Sequence, residues 1–125
     1  LRGEEVLSRG GRFQGTQLVP VEGDFVQPVD YSNTPFMSKE VWQKIGGVPC
    51  YAQLYYEDVG LGLKCLKEGL TNLYNPLSVI KHSTLGWRLE DGHEQYERRQ
   101  HNENVIQQEA KVKFMEEWQE WLEKR

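Results

Sequence analysis

Hydrophobic and polar positions alternate along this chain with helical periods in three places. Between Ser38 and Gly47, Val41, Trp42 and Ile45 fall on one helical face. Ser38 is suited to cap the start, Glu40 sits in the first turn where the helix dipole favours a negative charge, and Gly46-Gly47 stop the helix. A second helix is predicted from near Asp58 to Gly69, with Val59, Leu63 and Leu66 as an inward stripe and Lys64, Lys67 and Glu68 outside. From about Asn102 to Arg125, Ile106, Ala110, Phe114, Trp118 and Leu122 recur every fourth residue, and Met115 and Trp121 widen the stripe. That spacing predicts a long amphipathic helix, packed over a sheet as core in preference to binding a partner.

Elsewhere the pattern is that of short strands and turns. Residues 1–24 read as a Gly-rich lead-in of loop and strand, where Gly10, Gly11, Gly15 and Gly23 interrupt apolar stretches such as Leu18, Val19 and Val21. Phe25, Val26 and Val29 lead into an extended stretch from Asp30 to Met37, and Pro28 and Pro35 exclude a helix interior there. Leu73 and Tyr74, then Val79 and Ile80, read as two short strands broken at Asn75-Pro76, the second running into His82. The 125 residues fit a single α/β domain: a small mixed sheet with flanking helices and the long C-terminal helix.

Composition narrows the partners. With 15 Lys and Arg against 19 Asp and Glu, the net charge of -4 offers no electrostatic reason for nucleic acid or an anionic membrane. The Arg9-Gly10-Gly11-Arg12-Phe13 run, which resembles an RNA-binding element, occurs once and reads as a turn. No apolar run is long enough to span a bilayer and no secretion signal is evident, so the expectation is a cytoplasmic chain. Cys50 and Cys65 fit no metal-ligand spacing and read as thiols. His93 and His101 lie among Glu90, Asp91, Glu94, Glu97, Arg98 and Arg99, a stretch read as a solvated face because the spacing matches no zinc motif.

The densest candidate chemistry is Tyr55-Tyr56-Glu57-Asp58, two aromatic residues and two carboxylates at a predicted helix start. An Asp there ordinarily satisfies free backbone N–H groups as a cap. The functional alternative has Asp58, kept ionised by the helix N-terminus, as a general base facing a cleft, with Tyr55 and Tyr56 as flat surfaces for a sugar ring. Spacing alone leaves both open.

The order of motifs carries a resemblance. Asp30-Tyr31-Ser32-Asn33-Thr34-Pro35-Phe36-Met37, a helix, Ile45-Gly46-Gly47, the aromatic pair with Glu57-Asp58, then Leu61, Leu63, Lys64, Lys67 and Gly69, then Tyr74-Asn75-Pro76 and Val79-Ile80-Lys81-His82, resembles the C-terminal, acceptor-side half of family-two glycosyltransferases. The resemblance covers roughly Val26 to Trp87, and the tail helix with Phe114 and Trp118 is similar to one such enzymes often carry. It implies a partial GT-A (Rossmann-like) fold and inverting transfer from a nucleotide-sugar donor to an acceptor hydroxyl. Asp58 would be the catalytic base, and Glu57, Tyr55, Tyr56 and Trp87 would bind the acceptor. His82 and Arg88 would lie at a metal or diphosphate, the cation being Mn or Mg in the complete enzyme.

Two departures from the family pattern shape the expectation. Gly60 stands where many relatives have a third acidic residue, and no Asp-x-Asp occurs in the chain. The chain is therefore expected to lack the half that seats the sugar nucleotide, to bind no cation tightly by itself, and to be inactive alone. Its uncovered surface would meet that half or a second copy. The alternative is a non-catalytic carbohydrate-binding or protein-interaction module derived from this fold. A retaining glycosidase fits poorly, because adjacent carboxylates cannot straddle a glycosidic bond.

Overall fold

The computed structural model of the chain describes residues 8–51, 55–80 and 85–125. At residues 85–101 and at 103 the description extends to the backbone only. The architecture is mixed α/β, in the order β1 (Gly11–Gln14), β2 (Gln17–Pro20), β3 (Gln27–Val29), α1 (Lys39–Ile45), α2 (Glu57–Lys67), β4 (Asn72–Tyr74) and α3 (Leu85–Lys124).

β1 and β2 form an antiparallel hairpin in which Gln14 faces Gln17. Gly15, at φ 60°, takes the first turn position with positive φ that matches strand twist, a conformation without steric cost only for glycine. β3 pairs antiparallel with β4, Pro28 facing Leu73. The hairpin meets this second ribbon at one bridge, Gly11 to Tyr31. Among the described residues the expected mixed sheet is thus two two-stranded antiparallel ribbons, with no parallel pairing.

The expected strand at Val79 and Ile80 is also corrected, because the chain there is irregular. β3 offers β4 only three residues to pair with, and directly afterwards Asn75 turns the backbone. Its side chain accepts from the Leu77 N–H at 3.0 Å and its carbonyl from the Ser78 N–H at 3.1 Å.

Both ends of α1 and the end of α2 follow the capping chemistry of the sequence. Ser38 accepts from the Val41 N–H at 3.3 Å to start α1. Gly46, at φ 81°, ends it, its N–H bonding the Gln43 carbonyl while that of Gly47 bonds Trp42. Gly69 and Leu70 repeat this arrangement after α2. α3 begins at Leu85, well before the expected start near Asn102. No proline follows Pro76, and the intervening stretch is rich in Glu, Gln and Arg, which propagate a helix without an apolar stripe.

The main core lies where α3 crosses the hairpin and α2. Ala110, Phe114, Trp118 and Leu122, four of the five stripe residues, are buried with Tyr51, Val59 and Leu63. Phe114 is enclosed by rings: Phe13 stacked at 6.1 Å between centroids, Tyr51 edge-on at 5.5 Å and Tyr56 tilted at 5.1 Å. The Trp118 indole N–H donates to the Tyr51 hydroxyl at 2.9 Å, satisfying a buried donor. A smaller cluster of Ile45, Leu61 and Cys65 joins α1 to the other side of α2.

Two buried features fix the frame of the molecule. Asp30 is 5% exposed, and its carboxylate accepts a two-pronged pair of bonds from Arg125 at 2.8 and 2.9 Å and a third from the Phe13 N–H at 2.6 Å. Burial alone raises this carboxyl's pKa, but the bonds from Arg125 and Phe13, with the charges of Arg125 and Arg12, outweigh it and hold the pKa below the usual value. The second feature is the Asn72 side-chain amide, which donates to the Asp30 carbonyl at 3.2 Å and the Gly62 carbonyl at 3.0 Å, stapling β4 to α2 and to the end of β3.

Candidate functional site

α2 begins abruptly. Its N-cap residue, Tyr56, has φ 64° and makes no side-chain cap bond, and the preceding Tyr55 also lies in the left-handed region at φ 74°. Two successive bulky residues there cost conformational energy that the surrounding packing must hold in place, a feature that clusters at ligand sites. The packing is visible: both rings lie against the core cluster, and Tyr56 meets Phe114.

With Tyr56 as the N-cap residue, Asp58 lies within the first turn, where its carboxylate satisfies free backbone N–H groups, the Val59 N–H donating to Oδ1 at 2.8 Å. Its side chain also lines an open cleft of about 1040 Å³. Burial pushes the Asp58 carboxyl pKa up, the Val59 bond opposes this, and the neighbouring Glu57 charge adds to the rise. Desolvation thus outweighs the backbone donors at the start of α2, so the carboxylate is a stronger base than a solvated Asp.

The cleft runs between the end of β3, the 31–38 segment, α2 and the 70–80 segment. Tyr31, Ser32, Asn33 and Thr34 line it with Asp58, while Met37, Val41, Leu61, Cys65 and Leu70 give it an apolar wall. Burial raises the phenol pKa of both Tyr31 and Tyr56, and the Asp58 charge raises both further. Asp58 and Tyr31 share the cleft, while Tyr56, whose ring packs on the core, lies near enough to feel the Asp58 charge; both phenols remain protonated throughout the neutral range.

The sequence-predicted residues distribute as follows. Asp58 reaches the cleft; Glu57 is half-buried beside it at the first position of α2, and Tyr55 and Tyr56 are half-buried against the core. His82 lies outside the described residues, so its expected approach to Asp58 does too. Trp87 and Arg88 are in the first turn of α3, where only the backbone is described, as it is at His93. Among the described residues no group of three or more His, Cys, Asp or Glu side chains comes together to hold a metal ion, and no step below is routed through one. Arg9 and Arg12 of the RNA-like run are engaged within the fold, Arg9 with Asp24 at 2.9 Å and Arg12 with the Pro28 carbonyl and the Gln27 side chain.

Sequence reasoning missed two determinants of this site. Gly60 reads as a weak point in a helix, but a Cβ there would meet the Pro49 ring at 2.8 Å and the Tyr51 hydroxyl. Gly62 is tighter still: a Cβ would fall 2.9 Å from the Tyr31 Cα and into the Asp30 carbonyl. Gly62 lets α2 lie directly on the Asp30–Tyr31 segment at the cleft floor, and Gly60 lets it lie on Pro49 and Tyr51 beside the core. The alternating Gly-x-Gly inside an otherwise amphipathic helix is the signal that marks such close backbone approach.

No known protein family, no curated protein and no solved structure matches this chain. Among the described residues no helix is long and apolar enough to cross a membrane.

Proposed function

We propose that this chain is the acceptor-side portion of an inverting glycosyltransferase, with Asp58 as the general base that activates an acceptor hydroxyl. The observation that carries the reading is the state of Asp58. It is a half-buried carboxylate on an open cleft, two positions past the N-cap residue Tyr56, with its pKa raised by burial and by Glu57. A raised pKa gives the carboxylate a higher proton affinity than a solvated Asp, which suits it to proton abstraction.

In the proposed step the acceptor oxygen forms a bond to the anomeric carbon while its proton passes to Asp58. The bond from that carbon to the diphosphate oxygen breaks, and the leaving diphosphate keeps the electron pair. The donor and any cation are held by residues beyond those described here. The chain's own contribution is to bind the acceptor, orient it and take up the proton.

The test uses the full-length protein that carries this chain. Asp58→Asn preserves size and can still accept from the Val59 N–H, but cannot act as a base. Transfer is expected to fall by about a hundredfold to ten-thousandfold, with donor binding and cooperative unfolding retained. Wild-type turnover in a folded, donor-binding variant would eliminate Asp58 as the base, whereas a wild-type protein that binds carbohydrate without transferring sugar would favour a non-catalytic carbohydrate-binding role.

A further inference from the structure

β3 and β4 form one ribbon with two unlike free edges. Pro28 has no N–H, so its pairing with Leu73 is the open kind of antiparallel pair, in which both residues point their backbone groups away from the ribbon. On the β3 side that edge is closed: Pro28 offers no donor, and its carbonyl accepts from the Arg12 Nε at 2.7 Å. On the β4 side the Leu73 N–H and carbonyl point outward and are bonded by no partner among the described residues.

The devices that ordinarily protect an edge strand are missing at β4. Residues 71–75 contain no lysine, proline or other charge, and the register with β3 has no bulge. Leu70 to Ile80 is an uncharged run in a chain whose residues are 27% charged. Leu73 is 59% exposed, Leu77 90% and Val79 62%, while Phe36, fully exposed, borders the same cleft as Leu73 and Val79. Outward backbone donors and acceptors flanked by bare apolar side chains are a template for a further extended strand.

We propose that the free edge of β4 pairs with the same edge of a second copy of this chain, antiparallel, with Leu73 on the two-fold axis. The edge is self-complementary about that residue. Each Leu73 N–H meets the Leu73 carbonyl of the other copy, and each Asn75 N–H meets the Thr71 carbonyl opposite. The uncharged run lets two chains of net charge -4 meet without like charges facing across the seam. The exposed apolar area of Phe36, Leu73, Leu77 and Val79, on the order of 600 Å² per copy, reaches the lower end of what specific interfaces bury. Two ribbons of three-residue strands become one four-stranded sheet in the order β3, β4, β4, β3, with Pro28 and Arg12 closing both outer edges. An interface of that size exchanges readily with monomer. The pairing is independent of the role given to Asp58.

Sedimentation equilibrium of the 125-residue chain, over a concentration series reaching the millimolar range, tests this. Wild type is expected to show a reversible monomer–dimer equilibrium. Leu73→Pro removes the outward N–H at a position where an edge strand tolerates proline, as β3 does at Pro28, and should weaken dimerisation by at least about tenfold. Leu73→Lys keeps the backbone but sets like charges opposite each other on the axis, and should weaken it by at least about tenfold, with part of the loss recovered at high salt. Under mild oxidation Leu73→Cys should link two copies through position 73, as peptide mass mapping would show. Thr71→Cys should not link through position 71, which the pairing places roughly 14 Å from its counterpart. Amide spectra of each variant establish that it is folded. A wild-type chain that stays monomeric throughout overturns the self-pairing, including the case in which a strand of a longer protein covers the edge. A dimer undiminished in both folded Leu73→Pro and folded Leu73→Lys, or one that links through position 71 as readily as through 73, overturns it as well, because the contact then lies on another face.

Discussion

At Asp58 the needs of folding and of chemistry oppose each other. A group whose folded pKa lies above its unfolded value binds its proton more tightly when folded, so folding gains stability as pH falls through the folded pKa toward the unfolded one. At neutral pH the ionised, half-buried Asp58 is a cost to the fold. Asp58→Asn is therefore expected to raise the thermal midpoint at pH 7, with the difference from wild type shrinking as pH drops toward about 4, near the ordinary carboxylate value. A variant less stable than wild type at neutral pH would show that the charge is stabilising. The trade of stability for a poised base is common where activity needs a desolvated group.

Asp30 has the opposite sign. Its folded pKa is depressed, so its contribution is full above the unfolded carboxyl value and disappears as pH falls through the folded one. Thermal midpoints measured from pH 7 downward should fall steeply below about pH 4 in wild type. Asp30→Asn should lower the midpoint at pH 7, because Arg125 loses its anion, and should flatten the acid limb. An unchanged acid limb would show that other carboxylates dominate it.

Among the elements, α2 is the one whose local and tertiary preferences conflict most. Helix propensity alone predicts that Gly62→Ala stabilises by about 1 kcal/mol. The close approach of the Asp30 carbonyl and the Tyr31 Cα predicts the reverse, since a backbone neighbour cannot move aside as a flexible side chain can. Gly62→Ala is expected to destabilise by about 1–3 kcal/mol, the usual cost of overpacking, read as a lower urea midpoint at constant slope. A gain in stability would mean that α2 stands away from the β3 end.

The same conflict explains what the sequence could and could not convey. Ser38, through its hydroxyl, and Gly46 and Gly69, through their own backbone, act within a few residues of themselves, so the limits of α1 and the end of α2 were legible within a residue or two. The stripe from Ala110 to Leu122 was legible because burial imposes its period directly. Asn72 and Asp30 work through hydrogen bonds to partners 10 to 95 residues away that no local pattern encodes, and the Gly-x-Gly signal at Gly62 does not say which segment presses on it. The carboxylate on the cleft was legible as a candidate, but not its surroundings. Tyr31 reads as one aromatic residue in an extended stretch until α2 and the hairpin close on it. The Val79 and Ile80 stretch shows the limit from the other direction: β-branched residues supply strand propensity, yet with β3 exhausted no strand forms.

At the scale of the whole molecule, stability depends on one ring. Phe114 is fully buried and touches Phe13 of the hairpin, Tyr51 before α2 and Tyr56 at its start, so three otherwise weakly joined segments meet on it. Phe114→Ala is expected to cost about 3–5 kcal/mol in urea unfolding, a large part of the stability of a chain this size. A loss of under about 1 kcal/mol would show that α3 docks through Trp118 and Leu122 alone.

The Asp30–Arg125 pair joins residues 95 apart, and the bond from Trp118 to Tyr51 spans 67. Each of these contacts closes a long loop, and that entropy must be met before the contact gives anything back. The hairpin can form on its own within microseconds, but with its apolar side bare it gains little until the segment from Ala110 onward arrives. Refolding should therefore be slow for a chain of this length. During that interval Phe13, Leu18, Tyr51 and Leu63 are open to water and to other copies of the chain. Yield on refolding should accordingly fall as protein concentration rises, and adding the 102–125 segment as a separate peptide should compete for the bare surface and slow productive closure.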